Sequence, residues 1–259
     1  MSDYWGKRIA DSQNKLTGKN IKQTEKQLRR YYARTMESVI SSFESTYEKL
    51  QNTIAEGRTP TAADLYNLDK YWLLQSQLRD ELQRLGDRQA VLMSKNFELQ
   101  FFDIYYSFAI EGKEAFQTLD KAAARQMLNS IWCADGKNWS QRIWMNTDKL
   151  QQALNDKLIE CVVSGKKTTE LKHLLQEQFN VSYNRADSLV RTEMAHIQTQ
   201  AAAQRYKDYG IQQVEVLVDE DERTCPICAK HEGERYYVGE RMPVPFQPRC
   251  RCCVIPVVE

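Results

Sequence analysis

The sequence predicts an α+β protein, predominantly helical, in which long N-terminal helices are followed by a small α+β C-terminal domain with a cysteine cluster. Three observations predict it. Apolar residues recur at spacings of three and four from Leu28 onward, with helical texture from about Lys19. After Gly210 the pattern shortens to strand-like alternation, as in QVEVLV. Finally, Cys225, Cys228, Cys250, Cys252 and Cys253 place five of the seven cysteines in the last 35 residues. A chain of 259 residues with 42% hydrophobic content is long enough to bury a core.

The first helix carries Leu28, Tyr32, Met36, Val39, Phe43, Tyr47, Leu50 and Ile54 on one apolar stripe. Its eleven-residue blocks lie near the straight-helix period, so the stripe is expected to pack on a neighbour rather than wind into a long coiled coil. The stretch AEGRTPTAAD, with Gly57 and Pro60, breaks it, and Thr59 or Thr61 is placed to cap the next helix. That helix is expected to run to about Leu85, with a hinge or kink at Gly86 and Asp87. A further helix reaches about Glu111 with an aromatic cluster that includes Phe97, Phe101, Phe102, Tyr105, Tyr106 and Phe108.

Asp120 is placed to cap a short helix through Trp132, and Ser140 one that carries Ile143, Leu150, Leu154, Leu158 and Val162. Gly165 closes that element. Two more helices are expected, about Thr169 to Phe179 and Tyr183 to Tyr209, the latter ended by Gly210. QVEVLV then reads as a strand, GERYYVGERMPV as a hairpin or pair of short strands, and CCVIPVV as a strand that Pro256 assigns to a sheet edge. By texture the chain divides into a helical docking region, residues 1–135, and a C-terminal domain, residues 136–259.

No run of about 18 apolar residues exists, and the N-terminus lacks the apolar segment of a secretory signal. The expectation is a protein kept in cytoplasm, without membrane association, where clustered thiols serve as metal ligands or redox groups rather than disulfides. Net charge is +1, yet residues 1–35 hold nine Lys or Arg against three acids. Lys22, Lys26, Arg29 and Arg30 belong to this excess, which is either a solvated helix face or a contact for an acidic partner or DNA.

Two close cysteine pairs suit a tetrahedral zinc ion, since each tight turn supplies two ligands. Cys225 and Cys228 form the first pair. Cys250 and Cys253 have the spacing of a second knuckle, whereas in an extended segment Cys250 and Cys252 share a side, and spacing leaves both open. His231, Asp219 and Asp221 are spare ligands. The plainer reading is a set of reduced thiols in a small core. His173, His196 and His231 form no recognisable nucleophile, base and orienter set, so the expectation is a protein that is not an enzyme.

The series LVRTEMAHIQTQAAAQRYKDYG, then DERTCPICAKHEGERYYV, then PVPFQPRCRC resembles the C-terminal domain of phage minor head proteins, the Mu F-like head-morphogenesis family. The likeness runs in order over about residues 139 to 257, and YWGKRI resembles the aromatic-rich start of the same proteins. It implies a minor capsid protein of a tailed bacteriophage, present in few copies at the portal and head interior, assisting procapsid assembly and DNA packaging or exit. Its implied partners are the portal protein, scaffold or major capsid protein, and phage DNA. Its implied location is the virion, and the host cytoplasm during assembly.

The resemblance also favours Cys225, Cys228, Cys250 and Cys252 as the zinc set. Gln247 stands where the family has histidine, and Cys253 is an addition able to take the vacant ligand's place. Arg191, Thr192 and Glu193 form the family's helix motif, for which a buried salt bridge locking helix to sheet is expected. The alternative function is an ADP-ribosyltransferase-like effector enzyme delivered with the DNA. The chain ends soon after the cysteine motif, so no appended enzyme is expected.

Overall fold

The computed structural model describes residues 2–53, 61–67, 69–109, 120–218, 224–240 and 242–257. Their elements in order are α1 (Ser2–Thr53), α2 (Ala62–Tyr66), α3 (Asp69–Tyr105), α4 (Lys121–Leu128), α5 (Trp139–Val163), α6 (Thr168–Asp208), β1 (Gln213–Leu217), α7 (Pro226–Ala229), β2 (Arg235–Tyr237) and β3 (Cys253–Pro256). No helix among the described residues is long and apolar enough to cross a membrane.

The chain forms two compact units, each discontinuous in sequence: Met1–Glu25, Leu92–Trp139 and Ser188–Glu259 in the first, Lys26–Val91 and Ser140–Asp187 in the second. Portions of α1, α3 and α6 therefore contribute to each. The helical stripe of α1 begins well before Lys19. Gly6, Ala10, Gln13, Thr17, Asn20 and Thr24 are buried at spacings of three and four, and Leu28, Tyr32, Val39, Phe43 and Tyr47 continue the series.

In the first unit the stripe is small and polar, and its packing uses hydrogen bonds. The Asn96 amide donates to the Thr24 hydroxyl at 2.8 Å, and the Gln100 amide donates to Thr17 at 2.6 Å. The Asn20 amide donates to Gln100 and Asp103, both at 2.9 Å. Satisfied polar layers of this kind fix the axial register of two helices, because a one-turn slip would strand every amide.

The small sheet has the order β2-β1-β3 and is antiparallel throughout. Within the stretch GERYYVGERMPV, expected to form a hairpin or pair of short strands, Arg235–Tyr237 adds to β1 opposite Gln213–Glu215, and Val238 and Glu240 make an isolated bridge. β3 is an edge strand, as Pro256 requires, yet all four of its residues are buried. The first turns of α1 cover it. A Cβ at Gly6 would collide with Ile255, and Ala10 clusters with Cys253 and Ile255. From α6, the Tyr206 hydroxyl donates to the Val254 carbonyl at 3.2 Å.

The second unit is helical. Leu74, Leu78 and Leu82 of α3, Leu150, Leu154 and Leu158 of α5, and Leu171, Leu175 and Phe179 of α6 are all buried. Thr61 caps α2 in a reciprocal capping box with Asp64. Thr59, Gly57, Pro60 and Ile54 lie outside the described residues.

Four expectations for the helices are corrected. Gly86 does not interrupt the helix: α3 continues through it, and the glycine is needed because a Cβ there would collide with the Trp144 indole. α6 is one helix rather than two, since buried Ser182 carries the stripe from Phe179 to Ala186 across the supposed break. Ser140 is within α5, which starts at Trp139. Asp120 occupies the N-cap position of α4 without a side-chain capping bond, and that helix ends at Leu128 instead of Trp132. Gly210 does end α6: at φ 71° it lets its own N–H reach Lys207 O and that of Ile211 reach Tyr206 O.

Candidate metal centre

The site is built from a short helix and a turn. Cys225 is the N-cap of α7, with Pro226 in the first helical turn, and its sulfur accepts the Cys228 N–H at 3.3 Å. This arrangement turns the chain so that Cys228 is buried one helical turn later. The second contribution comes from Gln247-Pro248-Arg249-Cys250, where the Cys250 N–H donates to Gln247 O at 3.2 Å. Pro248 presets the first corner of this turn, and Arg249 takes φ 64° at the second, a position that ordinarily favours glycine.

The turn delivers Cys250 to Cys228 with their sulfurs 3.7 Å apart. The sulfurs of Cys228, Cys250 and Cys252 all lie within 4.8 Å of one another, and all three residues are buried. Four thiolates about 2.3 Å from a tetrahedral ion stand about 3.8 Å apart. The cluster can therefore hold a metal ion.

The thiols differ in acidity. Hydrogen bonding from Cys252, reinforced by backbone N–H groups, lowers the Cys250 thiol to about 5 against the opposing effect of burial. Burial pushes Cys228 up to about 12, and the hydrogen bond with Cys250 raises Cys252. Cys225 is lowered, first by the Cys228 backbone N–H. One thiolate supported by neighbouring thiol donors gives a cation an anionic first ligand.

The remaining expected residues are dispersed around this cluster. Cys225 stands at its edge, with the Gln247 amide donating to its sulfur at 2.7 Å. Cys253 faces the other side of β3, in the apolar cluster with Ala10 and Ile255. His231 stacks on Phe246 at 4.0 Å and bonds Glu234 at 2.7 Å. Asp219 and Asp221 lie outside the described residues.

Arg191, Thr192 and Glu193 each make a distinct attachment, and the ion pair of Arg191 joins helix to helix. Arg191 pairs with Glu25 of α1, helix to helix. The Thr192 hydroxyl donates to Ser188 O at 2.7 Å and accepts the Arg249 N–H at 3.1 Å. Glu193 accepts the Trp132 indole N–H at 3.0 Å, and Trp132 stacks on His196 at 4.1 Å. Sequence reasoning missed the role of Thr192 toward the cysteine turn. The proline in QPRC signalled a turn, but nothing in spacing links residue 249 to residue 192.

Lys22, Lys26, Arg29 and Arg30 are all exposed on α1, the Arg29 guanidinium lying 5.0 Å from the Tyr183 ring centre. The family model described as Phage Mu protein F like protein matches residues 152–255, a span that holds α6, the sheet and the thiol cluster. No curated protein and no solved structure matches the chain.

Proposed function

We propose that this chain, whose residues 152–255 match the family model of Phage Mu protein F like proteins, is a minor head protein of a tailed bacteriophage and a structural component rather than an enzyme. It joins the procapsid at the portal vertex and head interior and assists assembly and DNA packaging or exit. The thiol cluster holds zinc. In this role the ion supplies no chemistry beyond binding: Cys228, Cys250 and Cys252, with Cys225 beside them, fasten α7 and the 247–250 turn to one another and so stiffen the end of the chain.

The observation that carries the docking reading is the exposure of Lys22, Lys26, Arg29 and Arg30 on a 52-residue helix whose opposite stripe is buried. A solvent-facing row of cations complements an acidic portal surface or DNA, and it has no role in the core. Replacing all four with glutamine preserves helix propensity while removing the charge. The expected outcome is loss of incorporation into procapsids with unchanged helicity by circular dichroism. Incorporation at wild-type copy number would place docking elsewhere.

A further inference from the structure

We infer that Thr192 is a positioning residue for the thiol cluster: its hydroxyl holds the Arg249 turn in the left-handed conformation that aims Cys250 at Cys228 and Cys252. The inference rests on the metal-binding reading of that cluster. Three observations converge on it. Arg249 is the one non-glycine residue with positive φ among the described residues, and it immediately precedes Cys250. Side chains disfavour this conformation, so something outside the turn must over-determine it. The Arg249 N–H is held by Thr192 at 3.1 Å, across 57 residues of sequence.

The hydroxyl is well suited to that task because its own proton is committed. Donation to Ser188 O at 2.7 Å, one turn back in α6, fixes the rotamer and leaves an oxygen lone pair for the incoming N–H. Thr192 is 9% exposed, so water competes poorly for either bond. The latch therefore ties the metal turn to α6, a 41-residue helix whose position is fixed by its buried stripe. Glu193 and Arg191 on the same turn of α6 are engaged elsewhere, by Trp132 and by Glu25, which secures the helix from which Thr192 acts.

The test uses the full-length chain and Zn²⁺ in competition with a chromogenic chelator under reducing conditions. Thr192→Val keeps the side-chain shape and removes the hydroxyl that accepts the Arg249 N–H. The expected result is zinc affinity about 5- to 30-fold weaker than wild type, with helix content unchanged, and recovery to within about 2-fold in Thr192→Ser, which restores the hydroxyl. A structural role alone would lower thermal stability without a serine-rescued change in affinity. Equal zinc affinity in Thr192→Val and wild type would overturn the inference.

If wild-type protein holds no zinc, the metal reading fails, and the latch is then decided by hydrogen exchange in metal-free protein. Faster exchange at Arg249 and Cys250 in Thr192→Val than in Thr192→Ser supports the latch, and equal rates overturn it.

Discussion

Cys252 and Cys253 are neighbours with opposite surroundings, because successive side chains of an extended segment point to opposite faces. Cys252 joins Cys228 and Cys250, while Cys253 joins Ala10 and Ile255. Cys252→Ala should therefore weaken zinc binding by at least about 100-fold, more than the loss of an outer partner would. Cys253→Ala should leave about one zinc per chain and cost about 1 kcal/mol of stability, the burial of one small apolar group. Elemental analysis and chelator competition check both, and loss of zinc in Cys253→Ala would reverse the assignment. The residue types of this site were legible from the crowding of thiols after residue 224. Spacing did not choose between Cys252 and Cys253, because knuckle spacing and strand alternation favour different atoms; the family resemblance favoured Cys252, and the fold places Cys252 with Cys228 and Cys250 and Cys253 against Ala10 and Ile255.

Among the elements, α3 shows how a glycine misleads a linear reading. Gly86 was expected to interrupt the helix because glycine weakens helix interiors by about 1 kcal/mol relative to alanine. In the fold it admits the Trp144 ring to the helix backbone. Two effects then oppose each other in Gly86→Ala: a propensity gain of about 1 kcal/mol and an overpacking cost of about 1–3 kcal/mol. Overpacking should win, so that the variant melts below wild type in a thermal scan; a higher melting temperature would mean that the indole moves aside without cost. The N-terminal half of α1 was overlooked for a related reason. Its buried positions are Gly6, Ala10, Gln13, Thr17, Asn20 and Thr24, a helical period written in small and polar residues that hydropathy does not register. Ser182 hid the continuity of α6 in the same way. Where the stripe is apolar, from Leu28 to Tyr47 and from Ile143 to Val162, sequence and structure agree.

At the scale of the molecule, the first 25 residues belong to the same compact unit as the sheet and the thiol cluster. A deletion of residues 1–35 therefore strips more than a basic arm. It uncovers Ile255 and Cys253 and removes Thr17, Asn20 and Thr24 from their partners on α3. The truncated protein should show faster hydrogen exchange at Val214, Val216 and Val254 and weakened zinc binding, while the glutamine variant described above keeps both intact. Unchanged protection in that sheet would show that α1 merely shields it. Loss of incorporation in such a deletion would accordingly report on folding, and only the charge-removing glutamine variant isolates docking.

The seat of Gly6 against Ile255 also sets an order of events during translation. The second unit ends at Asp187 and has all its residues once that position has left the ribosome. The first cannot close until β3 emerges, some 249 residues after the glycine that receives it. Contacts of such long separation form late, since loop closure must precede the favourable packing. Throughout synthesis the leading turns of α1 thus present an unfilled seat, and a chain terminated before Cys253 never fills it. Synthesis of β3 is in this way coupled to concealment of the first turns of α1, and a product terminated before Cys253 leaves Gly6 and Ala10 without the strand that covers them.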